Sequence, residues 1–292
     1  MDGIILIDKP AHKTSHDMVY FVRRLTGIKK VGHTGTLDPD ATGVLPICIG
    51  KATKICDMLT SSDKRYTATL VLGKTTDTQD ASGNVLSECE VNVSAEDINR
   101  IINKFIGEIE QIPPMFSAIK KDGKKLYELA RKGITVEREA RKIIVHSINV
   151  LGIDLDNNKV EIDVHCSKGT YIRTLCEDIG NSLGVGAYME SLRRTESGGF
   201  VINDCHEPLE LTELKERDQL DSVIIPPENV FCEYDEVVLD ARLASMHKNG
   251  IKIRRTGLCK DKLYRIYDSE RNFLSVSRYN GAELVLEKSF WS

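Results

Sequence analysis

The residues of this 292-residue chain best suited to chemistry crowd into one stretch, VGHTGTLDPDATGVLPICIG, from Val31 to Gly50. It holds an imidazole (His33), the hydroxyls of Thr34 and Thr36, and a carboxylate, Asp38, followed by Pro39. A carboxylate in that company can serve as a nucleophile. Glycines at 32, 35, 43 and 50 and prolines at 39 and 46 interrupt any helical or strand period, so the stretch reads as one long irregular segment that positions side chains. An Asp before Pro in such a loop is most often a turn former bonded to nearby backbone N–H groups, and composition alone does not raise Asp38 above that role.

The flanking elements must hold that segment in place. Gly3 to Ile7 reads as a short apolar strand, and DKPAHKTS leads into a helix with Thr14-Ser15 as the cap, Met18, Val19, Phe21, Val22 and Leu25 on one face, and Gly27 as the stop. Lys54 to Leu59 reads as helical, Lys64 to Leu72 (KRYTATLVL) as an alternating strand carrying Tyr66, and Thr75 to Asn84 as a polar loop. Ser94 caps a helix with Ile98, Ile101, Ile102 and Phe105 along one stripe, ended by Gly107. Pro113 to Gly133 combines a Pro-Pro entry, an Asp122-Gly123 turn and a short helix through Leu126, Leu129 and Ala130. Strands at Lys142 to Ile153 and Val160 to Cys166 precede a helix opened by Gly169-Thr170, with Tyr171 and Arg173 in its first turn. Arginine there opposes the helix dipole, so a carboxylate partner is expected. Beyond Gly199 the chain turns acidic, with Pro208, Pro226 and Pro227, before strands at Leu263 to Tyr267 and Phe273 to Tyr279.

Net charge is −4, but it is unevenly spread. Lys120 to Lys142 carries a local +5, and Cys205 to Asp240 a local −9. The acidic stretch masks a basic segment of the kind that binds a phosphate backbone. The 8 cysteines are scattered without a Cys-x-x-Cys pair, which predicts buried reduced thiols, and His12 and His16 lack the surrounding signature of a metal helix, so no metal is expected. No apolar run approaches the ~20 residues of a membrane span, and the N-terminus reads as a strand rather than a signal peptide, so a cytoplasmic protein is expected.

The run GHTGTLDPDATGVLP, together with KRY, SAIK, YIR and LRR in that order, resembles the bacterial tRNA pseudouridine-55 synthases, the TruB family, over roughly residues 1 to 200. The resemblance implies an α+β fold: a mixed, mostly antiparallel sheet with flanking helices plus a small C-terminal PUA-like β-barrel. It divides the chain into a catalytic domain at 1–204 with an RNA-gripping insertion at about 113–142, an acidic connection at 205–235 and a PUA-like RNA-binding domain at 236–292. The implied reaction converts uridine 55 in the TΨC loop of tRNA to pseudouridine. The uridine is flipped out, its N1–C1′ bond is broken, and C5 is joined to C1′. Asp38 would be the nucleophile, attacking either C1′ or the base C6.

By the same resemblance Tyr66 stacks on the base, Tyr171 lies beside it, Leu192 lines its pocket, Arg173 pairs with Asp38, and His33 occupies space left by the flipped nucleotide. Lys9-Pro10 would pack against the active-site loop. Lys120, Lys121, Lys124, Lys125 and Arg131 would meet phosphates, which supplies affinity without reading sequence. No cofactor is implied, and the partner is the T stem-loop of tRNA, with no membrane and no obligate protein partner. Two other readings fit parts of the sequence. Asp38-Pro39-Asp40-Ala41-Thr42 matches the DxDxT pattern of Mg²⁺-dependent aspartyl-phosphate hydrolases, and a silent RNA-binding module would share the basic segment.

Overall fold

In the computed structural model, which describes residues 1–121 and 123–291, the apolar run at the N-terminus forms strand β1 (Gly3–Lys9). Side chains alternate across a strand. Ile5 and Ile7 therefore enter one apolar cluster, and Ile4 and Leu6 enter another on the opposite face. Helix α1 (Ser15–Thr26) is capped by Thr14: the Asp17 N–H donates to Thr14 Oγ1 (3.0 Å), and the Thr14 N–H donates to Asp17 Oδ2 (2.8 Å). Gly27, at φ 74°, ends the helix. Met18, Val19 and Val22 of α1 pack with Ile5 and Ile7.

The expectation of one irregular segment from Val31 to Gly50 is corrected. Strands β2 (Val31–His33) and β3 (Thr42–Ile49) occupy most of it, and only residues 34–41 are irregular. The buried run V-L-P-I-C-I outweighs its own punctuation, because a strand covered on both faces is specified by continuous apolar character. Proline offers a carbonyl but no N–H, and Pro46 O accepts the Thr34 N–H (3.2 Å) where β2 ends.

After helix α2 (Cys56–Thr60), strand β4 (Lys64–Leu72) enters the middle of the main sheet. Strands β5 (Lys74–Thr76) and β6 (Val85–Glu88) pair around the polar loop. Helix α3 (Ala95–Ile102), capped by Ser94, and strand β7 (Gly107–Gln111) lead to the basic segment. There β8 (Lys120–Lys121) and β9 (Lys124–Lys125) pair ahead of helix α4 (Leu126–Ala130). The expected Asp122-Gly123 turn lies partly outside the described residues, at Asp122.

Strand β10 (Arg141–Asp154), strand β11 (Lys159–Cys166), helix α5 (Ile172–Ser182), strand β12 (Ala187–Ser197) and strand β13 (Phe200–Val201) complete this part. The sheet has nine strands in the order β1-β3-β12-β4-β11-β10-β7, with β2 on β3 and β13 on β12. Every pairing in it is antiparallel except β12 with β3. The architecture is α+β.

The acidic stretch is folded against β1. Helix α6 (Pro208–Glu216) buries Leu211 beside α1, while Ile225 and His206 bridge to Ile4 and Ile7. An otherwise unpaired sheet edge is thereby covered. A second, five-stranded sheet contains β14 (Asp235–Val238), β15 (Ile253–Arg254), β16 (Leu263–Tyr267), β17 (Phe273–Tyr279) and β18 (Glu283–Ser289), with helix α7 (Ala241–Lys248) after β14. Phe231, Val276 and Phe290 share one cluster with Ile4, Leu6, Ile55 and Leu59, so the two sheets meet through common apolar packing.

All eight cysteines are free, but Cys89, Cys232 and Cys259 are exposed and Cys56 and Cys205 are half-buried. The expectation of buried thiols is therefore corrected for all but Cys48, Cys166 and Cys176. Among the described residues no helix is long and apolar enough to cross a membrane.

Candidate active site

Residues 34–41 are fixed from below by two side chains at the N-terminal end of the fold. Ser15 Oγ accepts the Leu37 N–H (2.8 Å) and donates to Leu37 O (3.3 Å). Lys9, fully buried at the end of β1, donates from Nζ to the carbonyls of Pro10 (2.8 Å), Lys13 (2.6 Å) and Pro39 (2.9 Å). Burial pulls its pKa down to about 8, against the carboxylates of Asp40 and Asp38. The segment after β1 is thus tied to the residue that follows Asp38. The Ala41 N–H donates to Asp38 O (3.2 Å), so Asp38 occupies a closed turn.

From above, the segment is held by β12. Arg194 is buried and donates from Nε to Val44 O (2.8 Å) and from Nη2 to Gly35 O (3.2 Å). Arg193 pairs with Asp8 (2.6 Å). Gly43 permits this crossing: a Cβ there would lie 2.2 Å from Arg194 O, and its φ of 104° is one that side-chain-bearing residues avoid.

The expected partner of Asp38 is in place. Arg173 Nε lies 3.0 Å from Asp38 Oδ2, and Nη2 donates to Asp38 Oδ1 at 3.3 Å. The same guanidinium donates to Phe116 O (2.9 Å) and Thr78 O (3.1 Å), and it lies 3.5 Å from Asp80 Oδ2. Arg173 is 5% exposed in its side chain, whereas Asp38 retains 39%. An almost buried cation therefore presents a carboxylate that still faces open space. Burial pushes the Asp38 pKa up, the Arg173 charge opposes that, and Asp80 adds to the rise.

Tyr66 is buried on β4 in the cluster that contains Leu37 and Ala41, and Leu192 on β12 packs partly into the same cluster. Burial raises the Tyr66 phenol pKa, with the Arg194 guanidinium opposing. Tyr171 is the cap residue of α5 rather than part of its first turn, while Arg173 does lie in that turn. Gln111 holds Tyr171 on both sides: the Tyr171 N–H donates to Gln111 Oε1 (2.8 Å), and Gln111 Nε2 donates to Tyr171 O (3.0 Å). Burial raises the Tyr171 phenol as well, and Asp38 contributes to the rise in both tyrosines. His33 Nδ1 accepts the Gly35 N–H (3.2 Å), and burial, followed by Arg194, pulls its pKa down. Its Nδ1 is thus committed to its own turn.

Lys120, Lys121 and Lys124 lie on the small hairpin, Lys125 at its end, and Arg131 just after α4. Lys125 and Arg131 both approach the Tyr127 ring at 5.4 Å, and Lys121 Nζ donates to Glu137 O (2.6 Å). These residues form a separate basic surface. It is joined to the Asp38 site through Phe116 O, which Arg173 holds.

Asp80 and Gln79 are functional candidates that the polar-loop reading passed over. Asp80 Oδ1 accepts from the hydroxyls of Thr78 (2.7 Å) and Ser82 (2.6 Å), and Oδ2 faces Arg173. Gln79 bonds Glu177 through Nε2 and accepts from Thr174 Oγ1 (2.7 Å), which fastens the loop to α5. The run TTDTQDASG is dense in turn-forming side chains, but nothing in it names α5 as its target. The DxDxT reading fares poorly in this geometry. Asp40 is exposed and turned to His12 (2.8 Å), and Arg173 occupies both Asp38 oxygens where a phosphohydrolase would need them for cation and phosphate.

Residues 23–172 match the family described as TruB family pseudouridylate synthase (N terminal domain), and residues 173–231 match tRNA pseudouridylate synthase B C-terminal domain. A tRNA pseudouridine synthase B of Clostridium novyi is 45% identical over 99% of both chains. One of Vibrio atlanticus is 41% identical over 95% of this chain and 90% of its own. Among solved structures, a chain of a Cbf5-Nop10-Gar1 complex superposes with a TM-score of 0.74 at 27% identity, covering 99% of this chain and 85% of that one. A chain of an H/ACA RNP bound to a substrate RNA containing 2'-deoxyuridine superposes equally well, with a TM-score of 0.74 at 25% identity.

Proposed function

The chain belongs to the TruB family of pseudouridylate synthases, and from that premise we propose that it isomerises uridine 55 in the T loop of tRNA, with Asp38 as the nucleophile. The observation that carries the assignment is the Asp38–Arg173 pair, in which a nearly buried guanidinium grips both oxygens of a carboxylate open to the cleft. A uridine in a folded loop must be extruded to be reached, and the pocket then replaces its stacking partners. Tyr66, Tyr171 and Leu192 supply that surface. The incoming base displaces water from Asp38, which would drive the carboxyl toward its neutral form. Arg173 counters this by favouring the carboxylate and fixing its direction.

Asp38 then attacks C1′ or C6, the N1–C1′ bond breaks, and the uracil turns. C5 bonds to C1′ and the bond to Asp38 breaks, which frees the carboxylate; the hydrogen on C5 leaves as a proton, and N1 takes up a proton. The base never leaves the pocket, and the product is an isomer of the substrate, so the reaction is redox-neutral. Lys120, Lys121, Lys124, Lys125 and Arg131 hold the tRNA backbone. Residues 1–204 act as the catalytic unit, 205–235 as the connection, and 236–292 as a PUA-like RNA-binding unit. Because tRNA is the substrate, the place of work is the cytoplasm.

Loss of tritium from tRNA labelled at uridine C5 measures the reaction directly. Asp38→Asn should abolish that release while tRNA binding stays within a few-fold, since volume is nearly preserved and the nucleophile is lost. Substantial turnover by purified Asp38→Asn would end the assignment. A wild-type protein that binds tRNA without releasing tritium would favour the silent RNA-binding module.

A further inference from the structure

We propose that Asp63, His146 and His165 form a three-ligand site for a divalent transition cation of the zinc class, on the face of the main sheet opposite Tyr66. The three residues come from adjacent strands, because β4, β11 and β10 lie side by side. Cys166 on β11 pairs with Lys64 on β4 and with Val145 on β10, and His165 pairs with Arg65 and Ser147. Asp63 immediately precedes β4. His146 is the extra residue at a register shift between Val145 and Ser147. Ile143 and Val145 point into the core before that shift and Ile148 after it, so the inserted residue leaves His146 outside, beside His165.

The distances suit a metal. The two imidazole rings are 4.7 Å apart between centroids, and His146 Nε2 lies 3.1 Å from Asp63 Oδ2. One ligand atom from each of the three residues lies within 4.8 Å of the others. Donors bound at about 2.0–2.1 Å on a tetrahedral ion are about 3.3 Å apart, so Asp63 and His146 already have ligand spacing and His165 closes the set by a side-chain rotation. Two imidazoles and a carboxylate suit zinc, cobalt or nickel rather than magnesium or calcium, which take oxygen. The neighbouring cations are engaged elsewhere. Lys64 Nζ donates to Thr60 O (2.7 Å) and Ser62 O (2.5 Å), Arg65 pairs with Asp163 (2.8 Å) and Glu196 (3.4 Å), and Lys168 Nζ donates to Ser61 Oγ (3.3 Å). A bound ion would pin the entry to β4 and the bulge of β10 against β11, leaving a coordination position for water.

The test uses the full chain with no polyhistidine tag, titrated with Co²⁺ and then with Zn²⁺. The expected result is one equivalent of cobalt with visible absorption of low-symmetry coordination, displaced by zinc, and a zinc-dependent rise in the thermal midpoint. Thiolate charge-transfer absorption should be absent, which separates this site from the exposed Cys89, Cys232 and Cys259. His146→Ala and His165→Ala should each weaken binding by more than about 100-fold, beyond the roughly 10–100-fold that loss of an outer hydrogen-bond partner costs, and Asp63→Asn should also weaken it. Tritium release by the metal-free variants should match wild type, which also shows that they fold. Absence of saturable binding, a thiolate band, or unchanged affinity in the histidine variants or in Asp63→Asn would overturn the proposal.

Discussion

Replacing Arg173 by lysine tests whether the site depends on a directed ion pair or only on a nearby positive charge. The guanidinium reaches both Asp38 oxygens at 3.0 and 3.3 Å while holding Phe116 O at 2.9 Å and Thr78 O at 3.1 Å. A lysine ammonium has its donors radiating from one point and cannot span that set. At least one charge-assisted bond to Asp38 is lost, worth about 1.5–3 kcal/mol. Since 39% of the Asp38 side chain faces open space, solvent screening favours the lower half of that range, about 2 kcal/mol. At ~1.4 kcal/mol per tenfold, the single-turnover rate of Arg173→Lys should fall roughly 30-fold. Arg173→Ala removes the whole guanidinium and should cost about two orders of magnitude, at the low end of the ~3–5 kcal/mol for an orphaned partner of a buried pair.

The pH dependence has a definite sign. Burial and Asp80 raise the Asp38 pKa, whereas Arg173 lowers it. Deleting Arg173 removes the main lowering influence and leaves only the weaker one of Lys9 against burial and Asp80, so the rising limb of the rate profile must move to higher pH. The assay is tritium release at saturating enzyme, measured across pH. Near-normal rates for both variants at neutral pH, or an Arg173→Ala profile with an unmoved limb, would refute the reasoning.

Reversing Lys124 and Lys125 to glutamate should weaken tRNA binding and reduce the magnitude of the log K versus log salt slope by about 0.7–0.9 for each phosphate no longer neutralised, and an unchanged slope would make them a solvated face. His247 on α7 is buried against the second sheet, with Nε2 2.7 Å from Ser275 Oγ, and burial lowers its pKa. Its neutral form is therefore the folded one, so the unfolded chain takes up more protons as pH falls below about 6.5 and stability declines. His33 contributes in the same direction. His247→Gln should flatten the fall of the thermal midpoint between about pH 7 and pH 5, and an unchanged slope would show that His247 is not a main source.

Sequence pattern was most informative where burial follows a local period. Lys64–Leu72, Leu263–Tyr267 and Phe273–Tyr279 are strands with the expected bounds, and Thr14, Gly27 and Ser94 act as the expected caps and stop. It misled where punctuation and burial disagree, as in β3, whose Gly43 and Pro46 suggest a loop although the strand is buried between neighbours. The Asp38–Arg173 pair could be expected because its members sit in recognisable motifs. Asp80 could not, since its value lies in facing a guanidinium far along the chain, and periodicity carries no information about such encounters. The same limit hid Asp63, His146 and His165, which a bulge and two strand pairings bring together.

The parallel pairing of β12 with β3 governs when the Asp38 loop can form during synthesis. Arg194 is 150 residues beyond Val44, whose carbonyl it holds, and it also clasps Gly35. A nascent chain that stops short of Arg194 can lay down β1, α1 and β3, but it lacks the clamp over residues 34–41. Such distant closure is slow relative to local hairpins. The first third of the protein thus waits on a strand far along the chain, carrying an unfinished loop and a gap between β3 and β4 that β12 has still to fill. Ribosome-stalled chains ending before Arg193 should be cut by protease within residues 34–41, and chains in which β12 and α6 have cleared the exit tunnel should resist. Equal protection in both would place the ordering of the loop with Lys9 and Ser15 alone.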